Sequence, residues 1–423
     1  LRKPFIKALF LFCFLFFAYD SGTQVLFDEN YDSDIHTIEF HPNGLPLSFP
    51  AITLDRGRLK LSFDDLGKVN RHFIYTVYLC DKDWNISDLD PEEYLDGFDE
   101  LEIKYGYHSS NTRIPYRNYQ LILPNDELDF LVSGNYILAI YDDGPEIPEL
   151  VITRRFIVSE DIAKQNIEMS IPYDPRYSET HHKLTPTSVS AKHEFEQFRQ
   201  QEIYLSILQN GKWDDALHDI QPYTDDGEKM FFKRNEHFYF PAGKGFRAFD
   251  TRSLQSKQHH VFSIEKFSDA IDIQLETDRS RRYQKITVED AYGGFVTGNQ
   301  DYPDFPGSTE YIYVTFTYES TEFPRNDIYV IGKLSNWQLL EKNKLKYDQE
   351  AGLYYGEILL KQGYYNYHYA VADSDGNYTI DATEGNWYGT KDEYTVIVYL
   401  SEQGGRYDRV LSYYKYLSND LRR

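Results

Sequence analysis

Twelve histidines, two cysteines and 68 carboxylates give this chain ample material for metal or acid–base chemistry. The question is whether their spacing gathers any of it. The pairs His181-His182 and His259-His260 are adjacent, and neighbours in an extended chain point to opposite faces, so neither pair presents two ligands to one ion. Asp373-Ser374-Asp375-Gly376-Asn377, with Asp381 beyond, carries carboxylates at calcium-like spacing. Its glycine stands fourth, whereas a helix-loop-helix calcium loop needs it sixth, so a hairpin turn is the expected reading. Trp337, Trp387 and Tyr388 could together offer a stacking platform for a sugar, although large rings near strand ends more often pack. Gly-x-Ser-x-Gly, the phosphate-binding glycine loop, His-Glu-x-x-His and paired Cys-x-x-Cys are all missing from the sequence, which removes the strong local signatures of hydrolases, nucleotide enzymes and zinc sites.

The elements that must position these residues read as strands. Alternating runs recur at 36–40, 59–63, 73–79, 136–141, 151–158, 312–318, 327–331, 354–360, 365–372 and 394–399, rich in Val, Ile, Tyr, Phe and Thr, with the period of a half-buried strand. Turn dipeptides such as Asn43-Gly44, Asn210-Gly211 and Asp226-Gly227 separate them,. Helical period is faint, with one turn expected at 90–95 and a short helix near 408–417. The fold class is therefore all-β. Strands at this spacing, without long helical crossovers, predict three tandem antiparallel Ig-like or early-set β-sandwiches. Polar stretches at 160–166 and 297–309 set the expected boundaries: 27–160, 161–297 and 298–423. Residues 173–186 are expected to form a long loop opening the middle domain.

Residues 1–26 read as a leader. Arg2, Lys3 and Lys7 precede an apolar run from Ala8 to Ala18, and polar residues follow, the layout of a secretory signal peptide; a retained single anchor is the alternative. Cys13 would leave with the signal and only Cys80 would remain, so no internal disulfide is expected,. The formal charge is −24. Such a surface repels polyanions, which makes nucleic acid an unsuitable partner. With 38 Tyr and 28 Phe, the chain has far too much packing material to be disordered.

The order of motifs carries a resemblance. Tyr78-Leu79-Cys80-Asp81-Lys82-Asp83-Trp84 is followed by Tyr94-Leu95-Asp96-Gly97-Phe98, Tyr116-Arg117-Asn118-Tyr119, Ser133-Gly134-Asn135-Tyr136 and Arg154-Arg155-Phe156-Ile157-Val158. Further along come Gln209-Asn210-Gly211-Lys212-Trp213, Phe246-Arg247-Ala248-Phe249-Asp250 and Leu360-Lys361-Gln362-Gly363-Tyr364. The series resembles the plug protein family of the type IX secretion system. That resemblance implies a non-enzymatic protein, without cofactor or metal, on the periplasmic side of the outer membrane. There it would bind the giant β-barrel translocon, touch the membrane only through that barrel, and close the pore between export events. The alternative, from another class, is an exported carbohydrate-binding protein using Trp337, Trp387 and neighbouring tyrosines. Asn111, Arg113, Tyr116, Trp387 and Tyr388, expected on loops, are the candidate partner-binding residues. Cys80, Trp84 and Trp213 are expected to pack, Gly97, Gly134 and Gly363 to permit turns, and Arg154, Arg155 and Arg247 to pair with carboxylates of their own domains.

Overall fold

The computed structural model describes residues 26–67, 70–144, 147–191, 198–233, 237–286, 291–320 and 326–418; the expected leader lies outside them up to residue 25. All ten alternating runs are strands. In the first sandwich one sheet is built around Phe73–Cys80, Gly134–Asp142 and Glu149–Ser159, and the other from Ile35–Pro42, Leu59–Asp65, Tyr105–His108 and Arg117–Leu123. Aromatic rings fill the space between them. Phe63, Phe73 and Tyr119 meet with centroids 4.7 to 5.3 Å apart, and Tyr136 stacks on Phe156 at 5.4 Å, distances at which ring pairs add to simple area burial. The turn expected at 90–95 is a one-turn helix, Pro91–Tyr94, with Asp90 and Glu93 forming a capping box,.

The next two sandwiches are not in tandem. The middle one opens with Ala163–Ser170 and His181–Ala191, and its second sheet runs Leu217–Ile220, Ile203–Gln209, Glu393–Leu400, Arg409–Leu417. Its last two strands come from the far end of the chain. Residues 242–392 leave this body, form the third sandwich and return. Strands assigned by sequence to the middle domain belong to that insertion: Arg247–Asp250 and Phe295–Thr297 pair with Gly363–Ala372, and Ile271–Leu275 lies parallel to Tyr311–Glu319. The boundary expected at 297 and 298 is thus a loop inside the third sandwich, and the sheets divide near 242 and 392 instead. Outgoing and returning segments are bonded to each other, Gly243 N–H donating to Asn386 Oδ1 at 2.8 Å and Trp387 N–H to Gly243 C=O at 2.9 Å.

Two further expectations change. The segment read as a short helix is the strand Arg409–Leu417, because Val410 and Leu411 sit at a spacing that suits either period while its partner, Glu393–Leu400, needs a neighbour. The expected loop at 173–186 ends at Thr180, and His181 begins a strand. Gly97 does adopt a positive φ of 135°, whereas Gly134 and Gly363 serve close approach: an added Cβ would meet Leu79 Cδ1 at 2.6 Å and Val296 C=O at 2.8 Å,.

The third sandwich holds a buried ionic knot. Arg247 Nη1 pairs with Asp278 at 2.5 Å and Nε with Glu384 at 2.9 Å, while Arg281 reaches the other oxygen of Glu384 at 2.7 Å. Tyr367 and Tyr369 hydroxyls donate to Asp278 Oδ2 at 2.6 and 3.0 Å. Burial opposes the charge on Glu384, yet Arg247 and Arg281 hold its carboxyl well below the usual range,. Arg247 therefore pairs as expected. Arg154 and Arg155 form no direct ion pair among the described residues, although the buried Asp28 of their own sandwich attracts both; they donate to the backbone carbonyls of Glu29, Thr153 and Leu26, and the Arg155 guanidinium lies over the rings of Phe27 and Trp84 at 4.8 and 4.7 Å,.

The insertion makes a direct prediction. Residues 243–391 expressed alone should melt in one cooperative transition by circular dichroism, because every described strand of the third sandwich lies within them. Residues 298–423 alone should stay unfolded, since they lack Phe249, Ile271 and Ile273 of that core.

Candidate functional site

The candidate partner-binding residues fall at the joints between sandwiches. At the joint of the first and third, Asp64 on Leu59–Asp65 is fully buried and accepts from three donors. Lys361 Nζ lies at 2.6 Å, Tyr311 hydroxyl at 2.7 Å and Asn118 Nδ2 at 2.7 Å. Thr37 Oγ1 continues the chain to the Tyr311 hydroxyl at 2.7 Å. Lys361 Nζ also stands 4.2 Å from the centre of the Tyr116 ring. Tyr116 is only 3% exposed, and burial pushes its phenol well up. Arg113, within the loop closed by Ser109 and Tyr116, pairs with Glu310 at 2.9 Å and donates from Nε to Phe267 C=O at 2.8 Å.

Tyr116 and Arg113 are thus engaged within the chain, and they join domains. Asn111 is exposed at the tip of the same loop with a φ of 59°. Trp387 and Tyr388 lie on the returning connector, half-buried. Tyr388 N–H donates to Glu179 C=O at 3.1 Å, and its own carbonyl lies 2.8 Å from His182 Nε2. Trp337 lies against Phe246, with Lys212 over its ring at 5.5 Å. A Cβ on Gly293 would strike this indole at 2.3 Å. Trp387 instead covers Gly389. Among the described residues the two indoles make no ring contact with each other, Trp337 meeting Phe246 and Trp387 meeting Tyr388.

The second joint lies between the first and middle sandwiches. Ile137, Ile157, Cys80 and Trp84 from the first pack on Leu208, Ile397 and Tyr399 of the middle, and Trp84 meets Trp213 edge-on at 4.7 Å. The packing expected of Cys80, Trp84 and Trp213 is therefore an interdomain one. Burial pushes the Cys80 thiol up to about 12, which makes it inert as a nucleophile. Tyr399 donates to Asn135 Oδ1 at 2.9 Å, and Arg409 clasps Glu160 at 2.6 and 2.8 Å.

Where the connector re-enters the middle sandwich, Asp392 is buried beside Asn210 Nδ2 at 2.9 Å and Gln209 Nε2 at 3.1 Å, with His182 Nδ1 at 3.5 Å. The His182 Nδ1 is also 2.8 Å from the Tyr394 hydroxyl. Burial raises the Asp392 carboxyl to about 7 and lowers His182 to about 4, so both sit neutral near pH 6. A cleft of about 290 Å³ opens among all three sandwiches, with Asp28, Glu39, Arg154, Lys333 and Trp337 on its walls. Charges of both signs line it. Among the described residues no three His, Cys, Asp or Glu side chains gather as a metal site, and Asp373 binds the Asp375 and Asn377 amides of its own turn at 2.9 Å. What these arrangements do is lock sandwiches together.

Residues 35–160 match the family described as Type 9 secretion system plug protein 1st domain. This segment belongs to that plug domain family. It is a family of secretion-system components rather than of enzymes. Among solved structures, a hypothetical protein from Parabacteroides merdae is 29% identical, with a TM-score of 0.86, and the match covers 93% of this chain and all of that one. The three-sandwich body therefore occurs there too, insertion included in the matched span. The C-terminal domain of the Streptococcus pyogenes antigen I/II-family protein AspA, at 5% identity and a TM-score of 0.18, covers 90% of this chain and 99% of that one; the score is too low to carry an argument. No curated protein matches the chain.

Sequence reading missed Asp64 and Asp392. No local signal marks the first, since Asp64 continues the polar outward face of its strand after Lys60 and Ser62 and is buried by Tyr311 and Lys361 of the third sandwich. Lys361→Met should destabilise the chain by about 3–5 kcal/mol in urea unfolding, because Asp64 is left charged and buried, and the double variant with Asp64→Asn should recover most of that loss. Asp392 binds its proton more tightly folded than unfolded, so it lowers stability as pH rises from about 4 to 7; His182, held neutral, lowers it as pH falls through the same range. Asp392→Asn should remove the first slope only. Its stability relative to wild type should therefore climb with pH across that window by on the order of 3 kcal/mol, read from midpoints of urea unfolding at each pH.

Proposed function

We propose that the protein is a non-enzymatic plug of the type IX secretion system, held in the periplasm against the inner mouth of the outer-membrane β-barrel translocon and sealing its pore while nothing is exported. The observation that carries this reading is the match of the first sandwich to the plug domain family. The joints support it. A pore wide enough for folded cargo must be blocked by a body that does not deform, and three sandwiches cross-linked by buried ion pairs and a shared apolar interface make such a body. A large, Tyr-rich and acidic surface suits a reversible protein contact, because tyrosine gives contact area with little rotamer cost.

The test is affinity purification of the tagged full chain from gently solubilised envelopes, with mass spectrometry of what is retained. A very large outer-membrane barrel should be recovered in near-equal amount. Recovery of the protein alone in the soluble fraction would overturn the reading.

A further inference from the structure

The polar stretch at 297–309, where the sequence places a domain boundary, is built as a rigid projection beyond Thr297. Asn299 Oδ1 accepts the Asp301 and Tyr302 amides at 2.9 and 3.2 Å, and Asn299 Nδ2 donates across the loop to Ser308 C=O at 2.9 Å. Ser308 Oγ donates to Phe305 C=O at 2.8 Å. The base is tied down from three sides. Asp301 accepts from Ser253 Oγ at 2.7 Å and the Leu254 amide at 2.9 Å, Gln300 N–H donates to Arg252 C=O at 2.7 Å, and the Ser110 amide of the first sandwich donates to Gly307 C=O at 2.9 Å. At Gly307 a Cβ would lie 2.9 Å from His108 C=O, so the first sandwich presses directly on the loop.

This fixed frame presents apolar side chains to solvent. Tyr302 is 62% and Phe305 57% exposed, and Pro303 and Pro306 are exposed between and beside them. Arg113 ties the base of the loop further, pairing with Glu310 and donating to the carbonyl of Phe267. A compact loop held by its own hydrogen bonds, with aromatic tips left in water, has already met the ordering cost of recognition; each such ring then buries roughly 150–250 Å² when covered. Among the described residues of the loop, Asp304 is exposed and carries no ion pair, on a chain whose formal charge is −24. The matching surface must be apolar at its centre and basic around it.

We propose that residues 302–306 form a preorganised peg that seats in an apolar socket rimmed by Lys or Arg on the partner protein. This rests on the plug reading, in which that partner is the translocon barrel. The double variant Tyr302→Ser, Phe305→Ser alters only exposed side chains, so its urea midpoint should equal that of wild type. Barrel recovered with it should fall at least about tenfold, as expected when central aromatic anchors are removed. In cells, full-length protein with p-benzoylphenylalanine in place of Phe305 should cross-link to the barrel, and the same group in place of Tyr283, 89% exposed, should not. Full barrel recovery by the double variant, or no cross-link from position 305 while wild type still retains the barrel, overturns the peg and leaves the plug reading standing. Wild type that retains no barrel overturns the plug reading, and the peg falls with it.

Discussion

The strand Glu393–Leu400 is the constraint on which the body depends. All eight of its residues are buried, and its two faces serve different cores. Tyr394, Val396, Val398 and Leu400 enter the middle sandwich, while Ile397 and Tyr399 enter the interface with the first. Its edges are taken too, by Ile203–Gln209 on one side and Arg409–Leu417 on the other. No face of this strand meets water, and its Glu393 and Thr395 are buried along with the apolar side chains,. It is also the segment by which the chain closes the middle sandwich after building the third. The inserted body must therefore fold with its two ends side by side, and the bonds between Gly243 and residues 386–387 are what hold them there.

Polar groups fix how the bodies meet, and apolar area alone would not. An aromatic interface tolerates sliding and rotation, since ring contacts are broad in geometry. Asp64 does not tolerate either: three donors at 2.6 to 2.7 Å converge on one buried carboxylate, and moving the third sandwich by an ångström would strand the charge in a dry site. Replacing such a pair with well-packed apolar residues can leave stability unchanged, so its effect is on registry more than on total free energy. The same reasoning applies to Arg247, which ties the strand Arg247–Asp250 to the connector at Glu384 and thereby orients the insertion against its own exit.

The strands were legible in sequence because alternation is a local property. Each of the ten runs carries its facing pattern within itself, and the all-β class followed. Pairing across the chain is not local. Nothing in Arg247–Asp250 states that its neighbour is Gly363–Ala372, and nothing in Arg409–Leu417 names a sheet that begins two hundred residues earlier. The polar stretch at 297–309, with Pro303, Pro306 and Gly307, has linker composition, but hydrogen bonds to Asn299, Asp301 and Ser308 make an ordered loop of it. Site residues were harder still. Arg113 and Tyr116 were sought on a loop, and they are on one; composition could not tell that the third sandwich covers it.

That covering bears on where recognition can take place. When loops at the joints are used up in locking domains, the surface left for a partner consists of what projects beyond them. At the joint of the first and third sandwiches, the Arg113 to Glu310 pair, the Arg113 to Phe267 bond and the Ser110 to Gly307 bond draw three loops from two domains into one base, so a side chain mounted on it is tied to both sandwiches. A contact made there is coupled to the relative position of the domains. Force or binding that prised the first sandwich from the third would have to break the Asp64 to Lys361 pair, and would withdraw the base of the projecting loop in the same step. A loop anchored across this joint therefore shifts with the relative position of the two sandwiches, without either one unfolding.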